Sequence, residues 1–189
     1  MKVITFFSSE KQLIEKASHG SRSAQQRLFA LHAPKMLSVC RQYLPEVQRA
    51  EEAMCNGFLK VFKNLENFRH EGSFEGWVRR IMVRESISYL RSEKNLKFTE
   101  VEIEDDLQSY DAANADLEVE EIQRLIDALP EGYRAVFVLY AIEGYRHSEI
   151  ATLLNINENT SKSQLHKARK KLQHHLNALN TYHDGTHEV

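Results

Sequence analysis

Apolar residues recur three and four positions apart along most of this chain, the spacing of one face of a helix, and no stretch alternates with the period of a half-buried strand. Between Lys11 and Tyr43, Ala24, Leu28 and Leu31 form one stripe, and Met36, Val39, Cys40 and Tyr43 form another. Pro34 separates them and suits the first turn of a new helix, where its missing N–H is not needed, so the pattern predicts a helical hairpin. Glu46–Leu65 reads as one longer amphipathic helix. Ala50, Ala53, Met54, Gly57, Phe58, Val61, Phe62 and Leu65 point inward, and Glu51, Glu52, Cys55, Asn56, Lys60 and Lys63 point outward with Leu59 at the edge. Ser73 can cap a further helix to about Arg91, with Phe74, Trp77, Val78, Ile81, Ile87 and Leu90 as candidate core.

Helical patterning resumes at Ile122, Leu125, Ile126 and Leu129, stops at Pro130, and returns from Tyr133 to Ile142 before Gly144. His147–Leu154 carries Ile150, Ala151 and Leu154 on one side, with Ser148 as a candidate cap. Asn155–Glu158 is turn chemistry plugged by Ile156, because Asn tolerates left-handed backbone angles. Asn159 or Thr160 can cap the next helix, where Leu165, Ala168, Leu172 and Leu176 share one side. The opposite side then presents Ser163, His166, Lys167 and Lys170, flanked by Lys162 and Lys171. The sequence TYHDGTHEV at 181–189 reads as a frayed tail. The class is therefore all-α.

Two short helices, a tight turn and a cationic second helix make a helix-turn-helix. Thr160–Gln173 holds five Lys/Arg and no Asp/Glu. Such cations pair with phosphates, and Ser, His and Lys near the helix start can reach base edges in a major groove. A lysine-rich helix end also suits the negative pole of the helix dipole, so the motif alone leaves DNA binding and simple solvation both open.

The formal net charge of −2 excludes a protein that coats nucleic acid by bulk charge. The charge is segregated. Phe98–Glu121 holds ten Asp/Glu and no Lys or Arg, which makes it an extended acidic linker. It can also act as an internal mimic of a nucleic-acid strand. On its N-terminal side, Phe74–Lys97 carries Arg79, Arg80, Arg84, Arg91, Lys94 and Lys97 against three Glu. Aromatics heading a basic helix suit single-stranded nucleic acid, where bases stack on rings and cations follow the backbone. Phe74 and Trp77 suit burial equally well. Met1–Glu10 lacks the apolar core of a signal peptide, no segment approaches the length of a membrane span, and Cys40 and Cys55 lack metal-like spacing and suit a reducing cytoplasm. His174, His175, His183 and His187 lack the pair spacing of a zinc site, so no metal and no cofactor is expected.

The predicted organisation is two small helical domains, 1–97 and 119–180, joined by the linker at 98–118. Two basic modules on one tether suit a split DNA site. Other readings remain: a stand-alone helix-turn-helix regulator that binds duplex DNA as a dimer, or a protein-interaction adaptor with acidic partners. A nuclease fits least, since no compact carboxylate cluster stands out.

Four segments in order resemble the extracytoplasmic-function (ECF) sigma factors of bacterial RNA polymerase. They are AEEAMCNGFLKVFKNLENF at Ala50–Phe68, FEGWVRRIMVRESISYLR at Phe74–Arg91, LPEGYRAVFVLYAIEGYRHSEIATLL at Leu129–Leu154, and NTSKSQLHKARKKL at Asn159–Leu172. The resemblance spans roughly Leu13–Leu176, and the last segment is similar to the Bacteroidetes type. It implies a non-enzymatic promoter-specificity subunit of only two core domains. The first would dock on the clamp helices of the largest polymerase subunit through Glu51, Glu52, Cys55, Asn56 and Leu59. It would then open and hold the −10 element through Phe74, Trp77, Arg80, Arg84, Arg91 and Lys94. The second would read the −35 element through Thr160, Lys162, Ser163, His166, Lys167 and Lys170, and would meet the flap of the second-largest subunit. An anti-sigma partner is implied as well, and the linker would run through the polymerase channel. The chain departs from the family where Cys55-Asn56 replaces the usual Gln-Glu, Arg84 a usual Asn, Ser88 a usual Asp, and Gln164 and His166 residues that are often Arg or aromatic.

Overall fold

The computed structural model describes residues 3–92 and 119–184, with side chains described over 10–92 and 121–177. Every regular element in these residues is helical. The chain divides into two compact units, Met1–Leu90 and Arg91–Val189. Residues 98–118 of the acidic linker, with Lys94 and Lys97, fall outside the described residues, while 119–121, expected to be extended, begin a helix.

The first unit holds α1 (Val3–Ser18), α2 (Arg22–Arg41), α3 (Val47–Lys63), a 3-10 turn at Leu65–Asn67, and α4, which runs from Phe74 to Ser92. The break in the N-terminal segment comes at Gly20, not at Pro34 as the sequence pattern predicts. Gly20 takes a left-handed φ of 84°, and the Ser21 hydroxyl then caps α2 by accepting from Ala24 N at 3.5 Å. Pro34 lies inside one continuous α2. A proline there costs a helix about 3 kcal/mol, and packing offsets it. Leu28, His32, Met36, Val39 and Cys40 form one inward face that continues through the proline. Leu31, predicted on that face, is 51% exposed, and His32 is turned inward instead. The His32 imidazole meets Glu10 Oε1 at 3.2 Å and links α1 to α2. Burial pushes the Cys40 thiol up to about 11, so it stays protonated at neutral pH.

Helix α3 follows the predicted pattern. Ala50, Ala53, Met54, Gly57, Phe58 and Val61 are buried, while Phe62 is half-buried. Gly57 leaves room for the end of the Met82 side chain of α4, whose Sδ occupies the space a Cβ would need. In α4, Ser73 Oγ accepts from Gly76 N at 3.0 Å, as predicted. The buried face gains Met82 and Val83, while Trp77 and Ile81 are only half-buried.

The second unit holds α5 (Val119–Asp127), α6 (Glu131–Phe137), a π-helical turn at Val138–Ile142, α7 (His147–Leu154) and α8 (Glu158–Asp184). Helix α8 thus covers the first four residues of the expected tail. Ile126, Leu129, Ala135, Val136, Val138, Leu139, Ile150, Leu154, Leu165 and Ala168 make the core, while Ile122, predicted on the inward stripe, is exposed. One cation is built into this core. Arg134 is 3% exposed, and its Nη1 donates to Asp127 O at 3.0 Å and to Leu129 O at 2.9 Å. The guanidinium thereby satisfies carbonyls left open at the end of α5, where a positive charge also complements the helix dipole.

Arg134→Ala strands both carbonyls in the interior. It is expected to lower stability by about 2–3 kcal/mol, read as a shift of the urea midpoint. A loss below about 0.5 kcal/mol, the scale of an ordinary surface change, would mean that water replaces the guanidinium.

Candidate nucleic-acid interface

In the second unit the turn between α7 and α8 is fixed by two asparagines. Asn155 takes the left-handed conformation at φ 55°, closing α7, and Ile156 N donates to Ala151 O at 3.0 Å. Asn157 caps α8: its Oδ1 accepts from Thr160 N at 2.6 Å and from Thr160 Oγ1 at 2.9 Å. The caps predicted from sequence therefore move. Asn157 replaces Asn159 or Thr160, and Ser148 lies within the first turn of α7, where Glu149 Oε2 instead accepts from Arg146 N at 2.8 Å.

This seating decides which side of α8 meets solvent. Thr160, Ser161, Ser163 and Gln164 are buried alongside Leu165 and Ala168. Ser163 Oγ donates to Thr160 O at 3.0 Å, and Ser161 Oγ shares a hydrogen bond with His147 Nδ1 at 2.9 Å. Thr160 and Ser163, predicted to face DNA, are thus inward residues of the unit. At about 100° per residue, the exposed face is rotated roughly 70° from the predicted one. It carries Asn159, Lys162 and Arg169 in the open, with His166 half-exposed between them and Lys170 at one edge. Lys167 is half-buried. Sequence reasoning missed Asn159 and Arg169. The overlooked signal is the run of small hydroxyl residues, which can be buried because they bond to nearby helix carbonyls and side chains.

Lys162 Nζ pairs with Glu158 Oε1 at 2.8 Å, and the ammonium holds the Glu158 carboxyl below its usual range. Arg169 has its guanidinium carbon 5.6 Å from the centre of the Tyr140 ring, which in turn stacks on His147 with centroids 4.7 Å apart. A stripe with cations at both ends and an imidazole between them offers partners for phosphates and base edges.

In the first unit, Trp77, Arg80, Arg84, Ser88 and Arg91 fall within one quarter-turn of α4. All but the half-buried Trp77 are exposed. Phe74, predicted as a base-stacking ring, is buried at 5% exposure against Phe68 and His32. Trp77 stays half-exposed while contacting Phe68 and Phe74, with centroids 5.4 and 5.9 Å away. The predicted strip on α3 is exposed along its length at Glu51, Glu52, Cys55, Asn56 and Leu59, and Leu59 is 58% exposed. Glu52 accepts from Tyr89 Oη at 3.1 Å, and Lys60 pairs with Glu85, which registers α3 on α4.

Comparisons with known proteins match both units. Sigma-70 region 2 matches residues 28–96, and Sigma-70 region 4 matches residues 119–172. The RNA polymerase sigma-H factor of Pseudomonas aeruginosa is 25% identical over 183 residues, covering 90% of this chain and 95% of that protein. The ECF sigma factor SigW of Bacillus subtilis is 28% identical over 182 residues, covering 89% and 97%. Among solved structures, the sigma factor RpoE of Bartonella quintana, in complex with the anti-sigma factor NepR, shares the fold. It has a TM-score of 0.50 and 18% identity, over 80% of this chain and 96% of that one.

His147 gives the helix-turn-helix a pH dependence. Burial, then Lys162, and to a lesser extent Arg169, hold its pKa below the usual imidazole value, with Glu158 opposing them. The folded unit therefore favours the neutral ring. Its contribution to stability is fully present above the unfolded value near 6.5 and is lost as pH falls from there through the lower folded value. Melting curves from pH 7.5 to 5.5 should fall more steeply for the wild-type chain than for His147→Gln. Parallel slopes would assign the titration elsewhere.

Proposed function

The chain belongs to the sigma-70 family as an ECF RNA polymerase sigma factor, and from that premise we propose how its two units divide the promoter between them. The protein binds core RNA polymerase and directs initiation at specific promoters, so it acts as a promoter-specificity subunit. The observation that carries the division of labour is the pair of exposed basic helix stripes, one in each matched region.

Helix α8 enters the major groove of the −35 element. Lys162 and His166 reach base edges, Asn159 reads beside them, and Arg169 and Lys170 hold phosphates. Thr160 and Ser163 seat the helix. In the first unit, Arg80, Arg84 and Arg91 follow the backbone of the opened −10 strand, and the half-exposed Trp77 takes an unstacked base. Phe74 supports that ring from the core. The α3 strip of Glu51, Glu52, Cys55, Asn56 and Leu59 docks on the clamp helices of the largest polymerase subunit. The exposed leucine supplies the apolar anchor and the acids supply orientation. The second unit also meets the flap of the second-largest subunit. The near-neutral net charge fits this role, since the polymerase supplies most of the nonspecific affinity for DNA. We place the protein in the cytoplasm with the polymerase it serves, and no described helix is long and apolar enough to cross a membrane. An anti-sigma factor is a further expected partner, as in the Bartonella quintana complex.

Reconstitution with core RNA polymerase and a randomised promoter library tests the reading. Initiation is expected to concentrate on promoters sharing one −35 and one −10 sequence. A chain that selects duplex DNA unaided, and leaves polymerase start sites unchanged, would instead be a stand-alone regulator.

A further inference from the structure

Tyr140, in the π-helical turn, is 36% exposed and lies against both His147 at the start of α7 and Arg169 on the outer face of α8. The turn is wide: Glu143 N donates to Val138 O at 3.0 Å, a five-residue step that tightens no further into an α-helix. The Tyr140 and His147 rings lie nearly parallel, 25° apart with centroids at 4.7 Å. His147 is itself held by Ser161 on the buried side of α8. The tyrosine is thus braced from behind. The Arg169 guanidinium carbon lies 5.6 Å from the ring centre, within cation–π range. Arg169 sits seven residues after Lys162, two turns along the same exposed stripe.

We propose that Tyr140 is a positioning residue for promoter recognition: it holds the Arg169 guanidinium ready for a backbone phosphate beside the −35 element. An exposed arginine loses side-chain freedom when it binds, which weakens the contact it makes. A guanidinium already lying against a ring has lost part of that freedom in advance. A guanidinium held over a ring keeps its edge N–H donors available, in the fork that suits phosphate oxygens. Tyr140 lies outside the exposed stripe of α8, and in this role it acts through Arg169. The phenol hydroxyl has no part in this role; the aromatic face does the holding.

The inference rests on the reading of α8 as the −35 reader, and one titration separates the two. Holoenzyme made with the full chain is titrated with its selected promoter duplex at several salt concentrations. Wild-type binding without preference for the selected −35 sequence would sink the underlying reading. With that preference present, Tyr140→Phe should bind like wild type, and Tyr140→Leu should bind about two- to fivefold more weakly. The double variant Tyr140→Leu/Arg169→Ala should be no weaker than Arg169→Ala, because the ring has nothing left to position. Multiplying losses in the double variant, or full affinity in Tyr140→Leu beside a weakened Arg169→Ala, would overturn the inference. If Tyr140→Leu lowers the melting temperature of the free protein, Arg169→Lys takes its place. It keeps the charge and loses the planar stack, and the same two- to fivefold loss is expected; unchanged affinity would count against the proposal.

Discussion

The side-chain oxygen of Asn157 accepts two hydrogen bonds from Thr160, one from the backbone and one from the hydroxyl, and the orientation of α8 depends on them. With Thr160 held against the turn, Ser161, Ser163 and Gln164 follow it inward. Each is small or able to bond locally, so a polar face can be buried at little cost once its partners are supplied. The outward side is then no longer a matter of choice. Moving the buried set by one position would swing the exposed stripe by about 100° and present a different group of side chains. His147 reinforces the arrangement from α7 through its bond to Ser161, and a neutral imidazole suits that half-buried, cation-flanked position.

The first unit solves a similar problem with a glycine. Gly57 leaves room on α3 for the end of the Met82 side chain of α4, and the Lys60–Glu85 and Glu52–Tyr89 contacts set the register between the two helices. The result is that α3 can turn Leu59 and its acids outward while α4 turns out Arg80, Arg84 and Arg91. One packed pair of helices therefore offers two chemically distinct surfaces, one apolar and acidic and one basic with a half-exposed aromatic ring.

Helix periodicity made the all-α architecture, the inward face of α3 and the cap at Ser73 legible, because those features depend on local spacing. It failed where burial did not follow hydrophobicity. Leu165, Ala168 and Leu172 suggested one axis for α8, whereas the hydroxyls of Thr160, Ser161 and Ser163 turned it away from that axis. Leu31 looked like core but lies outside, and His32 took its place because Glu10 partners it. Pro34 signalled a break that long-range packing overrides. Phe74 and Trp77 had identical credentials in sequence, yet only Trp77 stays half-exposed. The contact of Arg169 with Tyr140 was hidden because the two are 29 positions apart and no local pattern joins them.

The orientation of α8 is the central claim, and the promoter preference of single-residue variants tests it most directly. Holoenzymes carrying Lys162→Ala, His166→Ala or Ser163→Ala would each select −35 sequences from a randomised library, with the melting temperature of each free protein measured alongside. The account predicts altered base preference for Lys162→Ala and His166→Ala. For Ser163→Ala it predicts an unchanged preference and, at most, a lower melting temperature. A changed −35 preference in a fully stable Ser163→Ala protein would contradict it, and would mean that the helix presents a different face to DNA.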